Sequence, residues 1–306
     1  MARYPDFLFI GAMKSATTSI SFQLGMQPGI FMVSNPKELF FFSRDEIYSR
    51  GIKWYTSNFE SVPTDELCGE AATTYAQKEV YPLSVERMRQ HLPNAKLIYL
   101  MRHPIDRLIS HYTHDVIGGR ISVDINEAIE KHPELVSTSQ YASQLKPYFE
   151  AFGYNQILPS FFERLKATPQ TELERVCDFI GYTGTPQWNS DLKPKNVSKN
   201  RVQRNALTDF LRRAPVLSQI REYLVPSSLK TLIRKPFVAK LERPELSSEN
   251  LAKLKSIFDE DLAELGQWLG IELTCDTFKT VAAADGYAWN AKGLGSFHAG
   301  VEAPAG

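Results

Sequence analysis

The chain predicts an α/β fold in three layers, a central parallel sheet flanked by helices, and three observations predict it. Short, almost wholly apolar runs recur at Phe7–Ile10, Ala95–Met101 and Gln156–Phe162, as strands buried on both faces do. Stretches with apolar residues at helical spacing lie between and after them, the alternation that builds a parallel sheet covered on both sides. Two of the runs end in turns rich in cations and hydroxyls, at the strand ends where such sheets bind ligands.

The first strand runs directly into Gly11-Ala12-Met13-Lys14-Ser15-Ala16-Thr17-Thr18-Ser19, and an amphipathic helix follows. Open backbone N–H groups at a helix start, the helix dipole, the Lys14 ammonium and several hydroxyls converge on one point, which is an anion cradle for a phosphate-like group. It is not the nucleoside-triphosphate loop. That pattern places a second Gly immediately before the Lys, whereas here Lys14 follows Gly11 by three residues.

The second strand, Ala95–Met101, ends in Arg102-His103-Pro104-Ile105-Asp106-Arg107, after which Leu108, Ile109 and Tyr112 recur at helical spacing. Pro104 suits the first turn of a helix, where its missing N–H is not needed. Arg102 on the strand end and Ser110 on the helix are a second candidate anion pair, because a guanidinium holds two phosphate oxygens at once. Between the two turns lie Asn35-Pro36-Lys37-Glu38-Leu39-Phe40-Phe41-Phe42, a charged pair set against three aromatics, and Gly69-Glu70-Ala71-Ala72-Thr73-Thr74-Tyr75 after a short apolar strand at Leu67-Cys68. Further on, Ser139–Phe149 reads as a helix despite Pro147, Glu172–Ile180 as another, and Leu251–Leu269 as a late amphipathic helix. Residues 1–280 are expected to form one domain. The Ala/Gly-rich tail, 281–306, has little periodicity and is expected to be partly mobile.

The glycine–lysine–hydroxyl turn, with Lys14, Ser15, Ala16, Thr17, Thr18 and Ser19, resembles the 5′-phosphosulfate loop of sulfotransferases that use 3′-phosphoadenosine 5′-phosphosulfate, with Ala16 where Gly is common. Arg102 and Ser110, eight positions apart, are similar to the family's 3′-phosphate motif. The resemblance covers roughly residues 5 to 270 and implies a P-loop-like fold and sulfuryl transfer to an acceptor hydroxyl on a carbohydrate, glycolipid or small hydroxylated metabolite. It resembles the carbohydrate branch at Lys37-Glu38-Leu39-Phe40-Phe41-Phe42, where the Glu is the general base and aromatics such as Phe41 wall the site. A positioned carboxylate is what the chemistry asks for, since the acceptor loses a proton as its oxygen attacks sulfur. Lys14 would neutralise charge growing on the leaving group. Glu70 and Tyr75 match a segment that lines the acceptor cleft, and Tyr141 a residue at an acceptor-facing helix start. In heparan-type relatives a Lys follows the matching Glu; here that position is Ala71. Lys199, Arg201 and Arg204 match a basic loop that closes over the nucleotide. Glu38 is the first choice of base, with Glu70 and His114 as alternatives, the latter because a histidine titrates near neutrality.

Composition sets the limits. Lys+Arg and Asp+Glu number 35 each, so net charge points to no nucleic-acid partner. Residues 193–243 alone carry thirteen Lys/Arg against three Asp/Glu, a basic stretch open to a nucleotide, an anionic acceptor or peripheral contact with a membrane. No apolar run reaches bilayer-spanning length, and the first strand begins within a few residues of Met1, so a cytoplasmic protein without a leader is expected. No Cys or carboxylate near His111 and His114 has metal-ligand spacing, and the chemistry needs no metal. Three cysteines, Cys68, Cys177 and Cys275, read as reduced thiols. Two other readings stay open. A nucleotide kinase would want a Mg²⁺-binding Asp at a strand end, where this chain has Met101-Arg102. A non-catalytic nucleotide-binding module would dock on an anionic surface through 193–243.

Overall fold

The computed structural model describes residues 2–191, 243–295 and 297–298. Five parallel strands form one sheet: β1 (Phe7–Gly11), β2 (Ile30–Met32), β3 (Leu67–Ala71), β4 (Lys96–Met101) and β5 (Ile157–Phe161), in the order β2-β3-β1-β4-β5. The helices are α1 (Thr17–Leu24), α2 (Asp45–Tyr48), α3 (Ile52–Thr56), α4 (Ser84–His91), α5 (Pro104–Ile117), α6 (Ile125–Lys131), α7 (Glu134–Ser137) and α8 (Tyr141–Phe152). They continue with α9 (Phe162–Ala167), α10 (Pro169–Ile180), α11 (Ser248–Leu269), α12 (Phe278–Ala284) and α13 (Ala291–Leu294).

Every residue of β1 is buried, and its side chains alternate between two cores. Phe7 and Phe9 pack with Ile20 and Leu24 of α1 and Leu173, Val176 and Ile180 of α10. Leu8 and Ile10 face the larger core built from α5, α8 and α11, which includes Leu108, Leu145 and Leu262. This is why the strand reads as a continuous apolar run rather than an alternating one. Each fully buried Phe contributes roughly 2–3 kcal/mol of apolar transfer.

The chain leaves β1 toward β2 and β3 on one side and later returns to β4 on the other, so the crossovers diverge at the carboxyl end of β1. That divergence opens the crevice in which sheets of this kind hold ligands. Gly11, the last residue of β1, pairs with Tyr99 of β4, and a Cβ there would lie 2.7 Å from the Tyr99 ring. Only glycine lets the strand pass under that ring.

The Pro147 helix forms as expected, and its start is capped from outside. Asp261 of α11 accepts the Ala142 and Ser143 N–H groups at 3.0 and 2.9 Å. The described part of the tail packs on the domain. Residues 281–295 carry α12 through α13, Ala282 and Leu294 are buried, and the Trp289 indole donates to the Ile157 carbonyl at 2.6 Å. The reason is a buried charge cluster. Glu172, wholly buried, pairs with Arg164 and Arg175, and these arginines reach the Ala284 and Tyr287 carbonyls. Within 281–295 the Trp289 indole and the Ala284 and Tyr287 carbonyls thus have specific partners. All three cysteines are buried and free. Among the described residues no helix is long and apolar enough to cross a membrane.

Candidate active site

The β1–α1 turn is made by backbone. Lys14 and Ala16 both take left-handed conformations, φ 75° and 70°, which cost a side-chain-bearing residue energy and persist where the surroundings fix them. Ala16 occupies the helix N-cap position without a side-chain cap; its carbonyl accepts the Ser19 N–H at 2.9 Å, while the Thr17 and Thr18 N–H groups have no intrahelical acceptor and can serve another. Ser15 is fully buried, and its hydroxyl has no hydrogen-bond partner among the described residues. Thr17 is buried, while Thr18 and Ser19 are partly exposed on the first turn of α1.

The β4–α5 turn is made by side chains. Pro104 takes the first helical position, and His103 caps α5 by accepting the Asp106 N–H at Nδ1. That leaves Nε2–H to donate to the Cys275 carbonyl at 2.9 Å. Burial lowers the His103 pKa, in keeping with this neutral tautomer. Glu163 accepts the His103 N–H at 3.0 Å, and Asp106 pairs with Lys279 and Arg243 at 2.7 and 2.9 Å.

The two turns meet. Arg102 donates from Nη1 to the Lys14 carbonyl at 3.2 Å and lies over the Phe162 ring, while its Nε is buried with no partner among the described residues. Arg107 lies fully buried behind it. Its guanidinium reaches Ser139 Oγ at 2.5 Å, the Leu135 carbonyl at 2.8 Å and the Met13 carbonyl at 3.5 Å, and touches His111 Nδ1 at 3.4 Å. Two arginines from the second turn therefore hold two carbonyls of the first. Ser110 is partly exposed on α5. An orphaned guanidinium nitrogen and an orphaned hydroxyl beside an uncapped helix start fit an anionic nucleotide.

Glu38 lies on the same edge. Its Oε2 accepts the Thr73 N–H at 3.1 Å and faces the Thr73 hydroxyl at 3.4 Å, and its Oε1 is 3.7 Å from the Lys37 ammonium. Thr73 follows β3 in a loop sewn to β1, with Ala72 and Ala76 N–H groups donating to the Phe9 and Ile10 carbonyls. Glu38 keeps 19% of its side-chain surface exposed, so it is supported yet reachable.

Four residues expected to contact the acceptor are buried. Phe41 is fully buried and stacks on Tyr55 with centroids 4.8 Å apart. Glu70 is 1% exposed; its Oε1 accepts the Tyr55 and Tyr75 hydroxyls at 2.9 and 2.8 Å. Burial raises the Glu70 pKa to about 7. Tyr75 is therefore a buried donor, not a cleft wall. Tyr141 is buried too, and its hydroxyl donates to the Arg102 carbonyl and accepts the Arg102 N–H, so it supports the anion turn rather than facing an acceptor. The apolar surroundings that the sequence showed around these residues are core, and their hydroxyls and one Glu70 oxygen are paired inside it. His114 stays partly exposed in the last turn of α5. His111 is buried beside Asp115 and Arg107, and burial with the Arg107 charge pushes its pKa down to about 2. Lys199, Arg201 and Arg204 lie outside the described residues, as does the basic stretch apart from Arg243.

The sequence reading missed Arg107, Thr73 and Tyr55. For Arg107 a signal existed: Arg107, His111 and Asp115 recur at intervals of four, a polar stripe beside the apolar one on α5. Thr73 and Tyr55 gave none, since both act through contacts distant in sequence.

The family model described as a sulfotransferase domain matches residues 4–266. The bifunctional heparan sulfate N-deacetylase/N-sulfotransferase 1 of Mus musculus is 28% identical over 211 residues, covering 62% of this chain and 23% of that protein. The membrane-associated sulfotransferase kil1 of Dictyostelium discoideum is 39% identical over 111 residues, covering 35% of this chain and 22% of that protein. The match thus spans less than a quarter of the length of these curated relatives. A solved sulfotransferase from Alicyclobacillus acidocaldarius is 25% identical, with a TM-score of 0.53 over 74% of this chain and 99% of that one.

Proposed function

The chain belongs to the sulfotransferase domain family, and on that premise we propose that it transfers a sulfuryl group from 3′-phosphoadenosine 5′-phosphosulfate to an acceptor hydroxyl, with Glu38 as general base. The single observation behind this reading is the meeting of the two anion turns, where Arg102 grips the Lys14 carbonyl at 3.2 Å while Arg102 Nε and Ser15 Oγ stay unspent. When bound, the nucleotide supplies an activated sulfuryl group.

Each residue then has a task. The α1 start, Lys14 and the Ser15–Ser19 hydroxyls hold the 5′-phosphosulfate end, and the Lys14 ammonium offsets charge on the departing phosphate oxygen. Arg102 and Ser110 hold the 3′-phosphate, with Lys199, Arg201 and Arg204 proposed to cover it. Glu38, tethered at one oxygen by Thr73, takes the acceptor proton at the other. His114 is the alternative base. A carbohydrate, glycolipid or small hydroxylated metabolite is the proposed acceptor, and a cytoplasmic place is proposed with it.

Calorimetry with 3′-phosphoadenosine 5′-phosphate against ATP plus Mg²⁺ tests the shared first step. Binding of the bisphosphate, with ATP weaker by about 100-fold or more, is expected. Preference for ATP would replace this reading with a kinase, and tight binding without turnover on any probe would leave a binding module. The acceptor panel should hold a desulfated heparan chain, which offers both amines and hydroxyls, a neutral glycolipid and a simple phenol.

A further inference from the structure

Glu70 is a buried carboxylate beside the site that the proposed chemistry leaves without a task. It sits on β3 opposite Leu8 of β1, with its side chain among Tyr55, Tyr75 and the core. One oxygen accepts hydrogen bonds from both phenol hydroxyls, and the other is buried with no partner among the described residues. A half-paired buried carboxyl is costly, so something must be gained by keeping it.

The gain lies in what the two tyrosines carry. Phe42 packs edge-on against Tyr55 at 4.9 Å and against Tyr75 at 5.5 Å, and Phe41 stacks on Tyr55. Phe41 and Phe42 end the segment that bears Glu38. Tyr75 also closes the loop after β3: its N–H donates to the Ala72 carbonyl at 3.3 Å, and its own carbonyl is held by the Tyr148 hydroxyl at 2.8 Å. Within that loop, Thr73 grips Glu38 Oε2. Both supports of Glu38, the aromatic floor under its segment and the amide at its carboxylate, thus run back to the two phenols joined at Glu70.

We propose that Glu70 is a positioning residue: by pinning the Tyr55 and Tyr75 hydroxyls to one oxygen it fixes the aromatic floor and the Thr73 loop that aim Glu38. It touches neither acceptor nor nucleotide. The inference rests on Glu38 being the base, and its test separates the two ideas.

Four variants decide it: Glu70→Gln, which keeps the accepting oxygen; Glu70→Ala, which removes it; Tyr55→Phe with Tyr75→Phe, which keeps both rings and removes both donors; and Glu38→Gln. Two readouts are used, the kcat and KM split with a desulfated heparan chain as probe acceptor, and amide hydrogen exchange of the Thr73 segment in the nucleotide-free protein. Glu70→Ala and the double Tyr→Phe variant should each lose about tenfold or more in kcat, keep affinity for 3′-phosphoadenosine 5′-phosphate, and exchange the Thr73 segment at least tenfold faster. Glu70→Gln should stay within about threefold of the parent in both. If Glu70→Ala does not fold, the double Tyr→Phe variant carries the test alone. Unchanged exchange and kcat in the double variant would overturn the positioning role. Loss of turnover in Glu70→Gln with parental exchange would overturn it in favour of Glu70 as the base. Full turnover in Glu38→Gln would instead sink the reading of Glu38, whatever the other variants do.

Discussion

The two strand-to-helix turns share one plan and differ in material. At β1–α1 the proposed anion site is backbone: two side-chain-bearing residues held left-handed, a helix start without a side-chain cap, and a buried serine hydroxyl. At β4–α5 it is side chains: a proline-started helix capped by His103, and two arginines that turn back to the first loop. A backbone cradle can surround a phosphate closely but cannot hold its own strained shape. The second turn supplies that restraint as well as its own anion contact. Arg102 and Arg107 thus divide the labour, the first facing the ligand crevice and the second wholly inside.

The largest test of this contrast is Lys14→Ala. Removing the one cation of the backbone turn should cut turnover by about 100- to 1,000-fold, with a thermal midpoint near that of the parent, because Arg102 and Arg107 hold carbonyls of the loop. A parental rate would show that the backbone alone carries the charge. Next is Arg107→Met, which strips partners from the Leu135 carbonyl and the Ser139 hydroxyl and releases Met13. Urea unfolding should show a loss of about 3 kcal/mol, together with weaker binding of 3′-phosphoadenosine 5′-phosphate. If stability falls and affinity does not, the brace and the cradle are independent.

The pH dependence separates the brace from the Glu70 cluster, because the signs differ. His111, against Arg107, has its pKa lowered to about 2 by burial and by that charge. The unfolded chain therefore binds the extra proton, and this stability is present above about pH 6.5 and lost as pH falls below it. Glu70, raised to about 7 by burial, holds a proton that the unfolded chain has already released above about pH 4.5. Its contribution is present at low pH and lost as pH rises toward 7. Between roughly pH 4.5 and 6.5 the two oppose each other, by about 1.4 kcal/mol per pH unit each. Urea melts across that window should show stability of His111→Asn falling more steeply with pH than the parent, and stability of Glu70→Gln rising more steeply. Identical slopes in all three proteins would remove both assignments. The smallest effect is Ala16→Gly. Relief of the left-handed alanine should raise stability by up to about 1 kcal/mol with turnover retained; a loss would mean that the surroundings need the methyl.

Much of this was open to reading along the chain, and the parts that were not have a common cause. The three apolar runs, Pro104 and the cation–hydroxyl turns rest on neighbours in sequence, so β1, β4, β5, the α5 start and both strand-to-helix turns lay where the residue pattern put them. Strand β2 is only three residues long and went unread. Side-chain roles were harder to read: Phe41, Glu70, Tyr75 and Tyr141 looked like walls of a cleft and are core, since aromatic and carboxyl groups near a motif look alike whether they face inward or outward.

What the amino-acid order determined by itself was periodicity and local chemistry, hence the sheet, its helices and two strand ends rich in cations and hydroxyls. Which groups would be spent on each other was decided only when distant segments closed together. Thr73 reached Glu38 across 35 positions and Arg102 reached Lys14 across 88. A hydrogen bond depends on separation in space to within a few tenths of an ångström, and no spacing along a chain encodes that.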